Sequence, residues 1–257
     1  MKKIAIIFTI IAVALTTASF IYDYAGAKPK NQSWGLHRVG TDQTPEVPQN
    51  IQDELTNNGG IWLGDTSQKT MYLTFDCGYE AGYTTKILDT LKTADVKAAF
   101  FVTGQFVDEN PDLIKRMFDE GHIIGNHTVH HIAMPNSSDE KNTAEIKGLE
   151  DKVKAIVGQD FVMSYLRPPK GEYNVQTLKL AQSLGYKTVM WSSAYVDWAD
   201  NKKGDLEYSF NMITKQFHNG SIILLHNTSQ NNSEVLERVI NDAKSKGYSF
   251  GSLNDIK

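Results

Sequence analysis

The chain has 257 residues, 40% of them hydrophobic, and a formal net charge of -4 at pH 7. That length carries one large globular domain with no need of a second, and the lack of a basic excess argues against a nucleic-acid partner. One cysteine, Cys77, excludes an intrachain disulfide, so core packing, a metal or both must hold the fold.

In chain order, Lys2 and Lys3 precede an apolar run from Ile4 to Ala18, and the small residues Ala25, Gly26 and Ala27 stand before Lys28. This is the pattern of an export signal, here residues 1–27, cleaved after Ala27. Because apolar residues continue through Phe20, Ile21 and Tyr22, an uncleaved N-terminal membrane anchor is the alternative. Either way the domain is expected outside the membrane, secreted or held at the cell surface. Residues 28–69 lack periodicity and are rich in Asn, Gln, Pro and Gly, with Trp34 and Trp62 as isolated apolar anchors. They read as an extended arm lying over the domain that follows, residues 70–257.

From Thr70 onward short apolar runs alternate with amphipathic segments, the pattern of βα units on a mainly parallel sheet. Strands are expected at 70–75, 98–102, 122–124, 164–166, 187–191, 221–225 and 248–250. Helices are expected at 83–93, at 111–120 behind Asn110, at 139–157, after Asn174 up to Gly185, and from Ser233 to Gly247. The fold class is therefore α/β, a small distorted (β/α) barrel of about seven parallel strands, with its chemistry at the C-terminal strand ends.

Several strand ends carry reactive groups. MYLTFDCGYE, from Met71 to Glu80, runs an apolar strand into Asp76, which Gly78 lets project from the strand tip as a catalytic carboxylate or a structural cap. Cys77 beside it reads first as a small buried hydrophobe and alternatively as a ligand. GNHTVHH then places His127, His130 and His131 together, and His127 and His131 could offer two imidazoles to one ion if the segment turns helically. In YLRPPKGEY, Pro168 keeps Arg167 extended, where it could pair with Asp76 or lie in solvent. Asp197 follows the 187–191 strand, and His226 ends the SIILL run, where it could be a general acid oriented by Asp197 or a satisfied core histidine. Tyr173, Tyr195 and Trp198 are either sugar-facing aromatics or packing.

Taken in order, TFDCG, HTVHH, RPPKG, VDW and LLH resemble the five motifs of the polysaccharide deacetylases, the NodB-homology group of family 4 carbohydrate esterases. Within that group, WGLHR from Trp34 to Arg38, YLTFDCGYE and WSSAYVDW look like the muramic δ-lactam-forming deacetylases of endospore formers. The resemblance implies hydrolysis of an N-acetyl group on an exported glycan. It implies Asp76 as general base, Arg167 as its partner, His226 as general acid, Asp197 as the partner of that acid, and His127 and His131 as ligands of a divalent metal, zinc or cobalt. It also implies a backbone N–H near Tyr173 for the oxyanion, and peptidoglycan strands as the partner. Two positions depart: Cys77 and Ala194 stand where many relatives carry Asp. Cys77 could ligate zinc as a thiolate or leave a weak two-histidine site. A deacetylase of N-acetylglucosamine in peptidoglycan or chitin oligomers is one alternative, and a non-catalytic glycan-binding relative is another.

Overall fold

The computed structural model describes residues 30–198 and 203–256, so the expected export signal at residues 1–27 lies outside the described residues. Among the described residues no helix is long and apolar enough to cross a membrane.

Seven strands form one parallel sheet: β2 (Thr70–Cys77), β3 (Ala98–Val102), β4 (Ile123–Asn126), β5 (Tyr165–Leu166), β7 (Lys187–Thr188), β8 (Ile222–His226) and β9 (Ser249–Phe250). Their order is β7-β5-β4-β3-β2-β8, with β9 paired to the start of β2. A short antiparallel pair, β1 (Gln32–Ser33) with β6 (Glu172–Tyr173), stands apart. This is the distorted barrel of about seven parallel strands that the βα alternation predicts.

The central strand shows why the residues divide as they do. Successive strand side chains point to opposite faces. On β2, Met71, Leu73, Phe75 and Cys77 turn outward into the main apolar core beneath the helices, while Tyr72 and Asp76 turn toward the barrel interior. On β3, Phe100 and Val102 likewise go to the helical layer and Ala99 and Phe101 to the interior. On β8, Ile223 and Leu225 go outward, and Ile222, Leu224 and His226 inward.

The helices that cover the sheet follow local signals. Those named by sequence appear as α2 (Thr84–Thr93), α4 (Pro111–Asp119), α5 (Asp139–Val157), α6 (Val175–Ser183) and α8 (Gln230–Ser245). Ser138 caps α5 by accepting from Lys141 N–H, and Asn174 and Thr177 form a reciprocal capping box on α6. The last helix starts three residues before Ser233, because Ser229 caps it by accepting from Asn232 N–H. Two helices have no counterpart in the sequence reading: α3 (Gly104–Glu109), capped by Thr103, and α7 (Leu206–Thr214), capped by Asp205. Both are short, and their apolar spacing is too brief to stand out from loop.

The segment expected to be an extended arm is corrected by the structure. It contains helix α1 (Gln49–Thr56) and is built into the barrel wall. Ile61 pairs with Val189 and Leu63 with Ser221, so residues 61–63 bridge the gap between the β7 and β8 sides of the sheet. Trp34, Leu55 and Trp62 are buried with Tyr173, Leu178 and Met190 in a second core. Isolated Trp residues gave no period, because this segment is ordered by long-range contacts and not by its own helix or strand pattern.

Leu55→Ala tests this integration. It should cost about 2–5 kcal/mol through the cavity it leaves, lowering the single thermal transition seen by circular dichroism; an arm merely resting on the domain would leave that transition unmoved.

Candidate active site

Register brings the first two groups together. Asp76 on β2 lies opposite His226 on β8, and both face the interior at the C-terminal mouth of the sheet. There they open on a cavity of about 810 Å³ that also presents His127, His131, Asp197 and Trp198. With Tyr195, seven of the residues singled out by sequence therefore line one cavity.

Arg167 sits beneath them. It follows β5, is fully buried, and donates from Nη1 to Asp76 Oδ1 at 2.8 Å. Its Nε donates to the Val189 carbonyl at 3.1 Å, its backbone N–H donates to the Asn126 carbonyl at 2.9 Å, and the guanidinium lies 4.2 Å over the Phe101 ring. Burial alone would push the Asp76 carboxyl up, but the charges of Arg167, His127 and His226 outweigh it and hold Asp76 below its ordinary value. Asp76 is thus an ionised acceptor at the mouth.

His226 is tuned the other way. Burial disfavours its charge, yet Asp197 and Asp76 raise its pKa above the usual imidazole value. Asp197 Oδ1 accepts from His226 Nδ1 at 2.7 Å, and Asp197 Oδ2 accepts from the His226 backbone N–H at 2.7 Å. The Trp198 ring meets the imidazole edge-on at 5.0 Å between centroids and is itself 59% exposed. A carboxylate held low and an imidazole held high, side by side, make a base and an acid available at one pH.

His127 and His131 reach the cavity by a route the sequence did not suggest. The GNHTVHH segment is not helical. Thr128 and His131 take left-handed backbone angles, φ 63° and 52°, and such positions cost a β-branched residue most. Asn126 supports the turn by accepting from Thr128 N–H at 2.9 Å and donating to the Ile146 carbonyl at 2.8 Å. The His127 and His131 rings end 4.9 Å apart. His130 does not join them: its Nδ1 binds Glu145 Oε1 at 2.7 Å and its side chain is largely exposed.

The donor chemistry suits an ion at those two imidazoles. His127 Nδ1 donates to the Arg167 carbonyl at 2.8 Å, which leaves Nε2 with its lone pair toward the cavity, 3.6 Å from Asp76 Oδ2. Burial lowers His127 to about 4 and also lowers His131, so both rings are neutral ligands near neutral pH. The third ligand considered at Cys77 is corrected by the structure. Cys77 points away from Asp76 into the apolar core, is fully buried, and burial pushes its thiol well up. On this strand the two neighbours alternate, Asp76 to the cavity and Cys77 to the core. Among the described residues no group of three His, Cys, Asp or Glu side chains is disposed to hold a metal. The residues present therefore fit a two-imidazole site and not a three-ligand one.

The remaining aromatics are also redistributed. Tyr173 is fully buried in the second core and does not line the cavity, and burial pushes its hydroxyl up to about 12. A sugar-facing role for its ring is excluded. Tyr195 touches the cavity but is only 6% exposed, and its hydroxyl donates to Asn232 Oδ1 at 2.5 Å. Asn232 in turn donates to Asp197 Oδ2 at 2.5 Å and to the His226 carbonyl at 3.2 Å. Tyr195 and Asn232 thus brace the acid pair from behind, and nothing in the spacing after His226 marked Asn232. Glu80 was missed too; it accepts from the N–H groups of Gly82 and Thr84 and so shapes the loop carrying Tyr79 along the rim. Ala194 exposes its carbonyl to the Arg38 guanidinium.

Fold and site together define a barrel hydrolase whose mouth opposes an ionised carboxylate to a protonatable imidazole. The polysaccharide deacetylase family matches residues 63–189. The peptidoglycan-N-acetylmuramic acid deacetylase PdaA of Bacillus subtilis is 43% identical over 87% of this chain and 85% of its own length. The solved structure of that family 4 carbohydrate esterase superposes with a TM-score of 0.85 at 42% identity, over 88% of this chain and 97% of that one. A peptidoglycan-N-acetylglucosamine deacetylase of Bacillus cereus is 33% identical over 80% of this chain and 97% of its length. The chain belongs to the polysaccharide deacetylase family, hydrolases of a linear amide carbon–nitrogen bond. Deacetylases of this family are metal-dependent.

Two measurements check this geometry. Histidine NMR titration should place His226 above about 6.5, and Asp197→Asn should move it downward, because the carboxylate that favours the imidazolium is gone. Iodoacetamide should leave Cys77 unlabelled in the native chain and label it after denaturation; fast native labelling would contradict its place in the core.

Proposed function

We propose that the protein hydrolyses the N-acetyl group of N-acetylmuramic acid in exported peptidoglycan from which the peptide stem has been removed, a step toward the muramic δ-lactam of spore cortex. The observation that carries the hydrolysis is the register pair of Asp76 and His226, with their proton affinities driven apart. The muramic substrate is supported by the higher identity to the muramic acid deacetylase, 43%, than to the glucosamine deacetylase, 33%.

The reaction needs a nucleophile, a base and an acid, since an amide is a poor electrophile and an amine a poor leaving group. Asp76, ionised and aimed by Arg167, takes the proton from a water attacking the acetyl carbonyl. His226, protonated and held by Asp197 through Nδ1, presents its Nε2 proton to the departing nitrogen. The amine leaves as acetate forms. A divalent ion on His127 and His131, zinc or cobalt, would polarise the acetyl carbonyl when bound. With two protein ligands such an ion binds weakly, so activity depends on free metal. Trp198, exposed beside His226, offers a face on which a sugar ring can stack.

An export signal or anchor at residues 1–27 would deliver the domain to its polymer at the cell surface or in the forespore intermembrane space. The glucosamine deacetylase reading and the glycan-binding reading are both less favoured. The second leaves unexplained why both pairs remain hydrogen-bonded, Asp76 with Arg167 and Asp197 with His226.

Acetate release from glycan strands rich in peptide-free muramic acid tests the proposal. The full chain should release acetate, Asp76→Ala should be slower by about 100- to 10,000-fold, and chelation should abolish release until zinc or cobalt is returned. Equal release by the wild type and Asp76→Ala would sink the assignment, and sugar binding with no release from any glycan would favour the binding module.

A further inference from the structure

Among the described residues, the fixed charges of the cavity do not balance. Its two wall carboxylates are committed inside the protein, Asp76 to Arg167 and Asp197 to His226. Two lysines, Lys170 and Lys203, line the same cavity, and neither makes an ion pair with a described carboxylate. Described acids that are paired inside the protein, beside described cations that are not, favour an anion in the cavity.

Lys170 is also held where a lysine is costly. It occupies a left-handed position, φ 61° and ψ 6°, in the tight turn after Pro168 and Pro169. A non-glycine residue there costs of order 1–3 kcal/mol and persists only if its surroundings impose it. The next residue shows what does so. Gly171 has φ 67°, and a Cβ on it would come within 2.7 Å of the Trp191 ring and 3.2 Å of Trp34 Cβ. The turn is clamped against two tryptophans, so the direction of Lys170 is set by packing. Lys170 and Gly171 line the same cavity as His127 and His131, so the turn borders the site that holds the two imidazoles.

Substrate chemistry gives that position a meaning. In N-acetylmuramic acid the lactyl ether is on C3, next to the C2 that carries the acetamide. Once the peptide stem is gone, the lactyl group ends in a free carboxylate a few bonds from the scissile amide. N-acetylglucosamine has a hydroxyl there, and stem-bearing muramic acid has a neutral amide.

We propose that Lys170, with Lys203 as a second cation of the cavity, forms a subsite for the lactyl carboxylate and selects peptide-free muramic acid. This rests on the muramic reading above. Lys170 is then a specificity-determining residue, and its charge is what the substrate reads.

A cycle between residue charge and substrate charge tests it. The full chain is assayed on peptide-free glycan strands and on the same strands with the lactyl carboxylate converted to its methylamide. The wild type should prefer the carboxylate in kcat/KM by about five-fold or more, mainly through KM. Lys170→Arg should keep that preference, Lys170→Met should erase most of it, and Lys170→Glu should reverse it. A purely structural lysine would slow both substrates alike and leave the ratio intact. An unchanged ratio in both Lys170→Met and the Lys170→Met/Lys203→Met double variant, with muramic activity retained, overturns the subsite alone. Acetate release from glucosamine units only overturns the subsite together with the muramic reading.

Discussion

The buried ion pair between Arg167 and Asp76 is the constraint from which the rest of the mouth is built. Arg167 is among the largest fully buried side chains in the protein, and its guanidinium is spent on Asp76, on the Val189 carbonyl and on the Phe101 ring. A charge in that setting is tolerated only with partners, and removing one partner of a buried pair typically costs about 3–5 kcal/mol. The same contact keeps Asp76 ionised against the cost of burial and fixes which oxygen remains for chemistry. Stability and reactivity therefore depend on one interaction. Even the orientation of His127 derives from it, since the carbonyl that accepts from its Nδ1 belongs to Arg167.

Around that pair the site is assembled by sheet register. Parallel pairing sets Asp76 opposite His226, and alternation sends both inward. The same alternation sends Cys77 outward, away from the two imidazoles, while Asp76 keeps Arg167 and His226 keeps Asp197. The two functions of the mouth are separable for a geometric reason. Acid–base groups come from inward positions of neighbouring strands, whereas the imidazoles come from a loop bent by two left-handed residues. The acid pair has its own support, a chain from Tyr195 through Asn232 to Asp197 that uses a helix beyond the sheet.

The segment before the first barrel strand contributes more than cover. Residues 61–63 occupy the gap between the two sides of the open sheet, and Trp34 helps clamp the turn that carries Lys170. Trp34 Nε1 also donates to the Trp191 carbonyl at 2.8 Å. Residues far from the motifs thus hold the turn that brings Lys170 and Gly171 to the cavity.

The amino-acid sequence by itself determined the βα alternation, most of the strand and helix positions, and the five motifs that carry Asp76, His127, His131, Arg167, Asp197 and His226. These are legible because apolar period, capping residues and strand-end chemistry are local. The first reading of Cys77 from sequence, a small buried hydrophobe, is also the one the structure has, with the thiol on the core side of the strand. Only the tertiary structure decided the rest. Helix α1 and the bridge at 61–63 have no local period and form because distant surfaces are there to receive them. Tyr173 reads as a sugar-facing ring or as packing, and its enclosure with Trp34 and Leu178 decides for packing. Asn232 and Lys170 matter through what they face across the cavity mouth, and such facing is set by side chains from elements far apart in the chain, which no spacing along the sequence encodes.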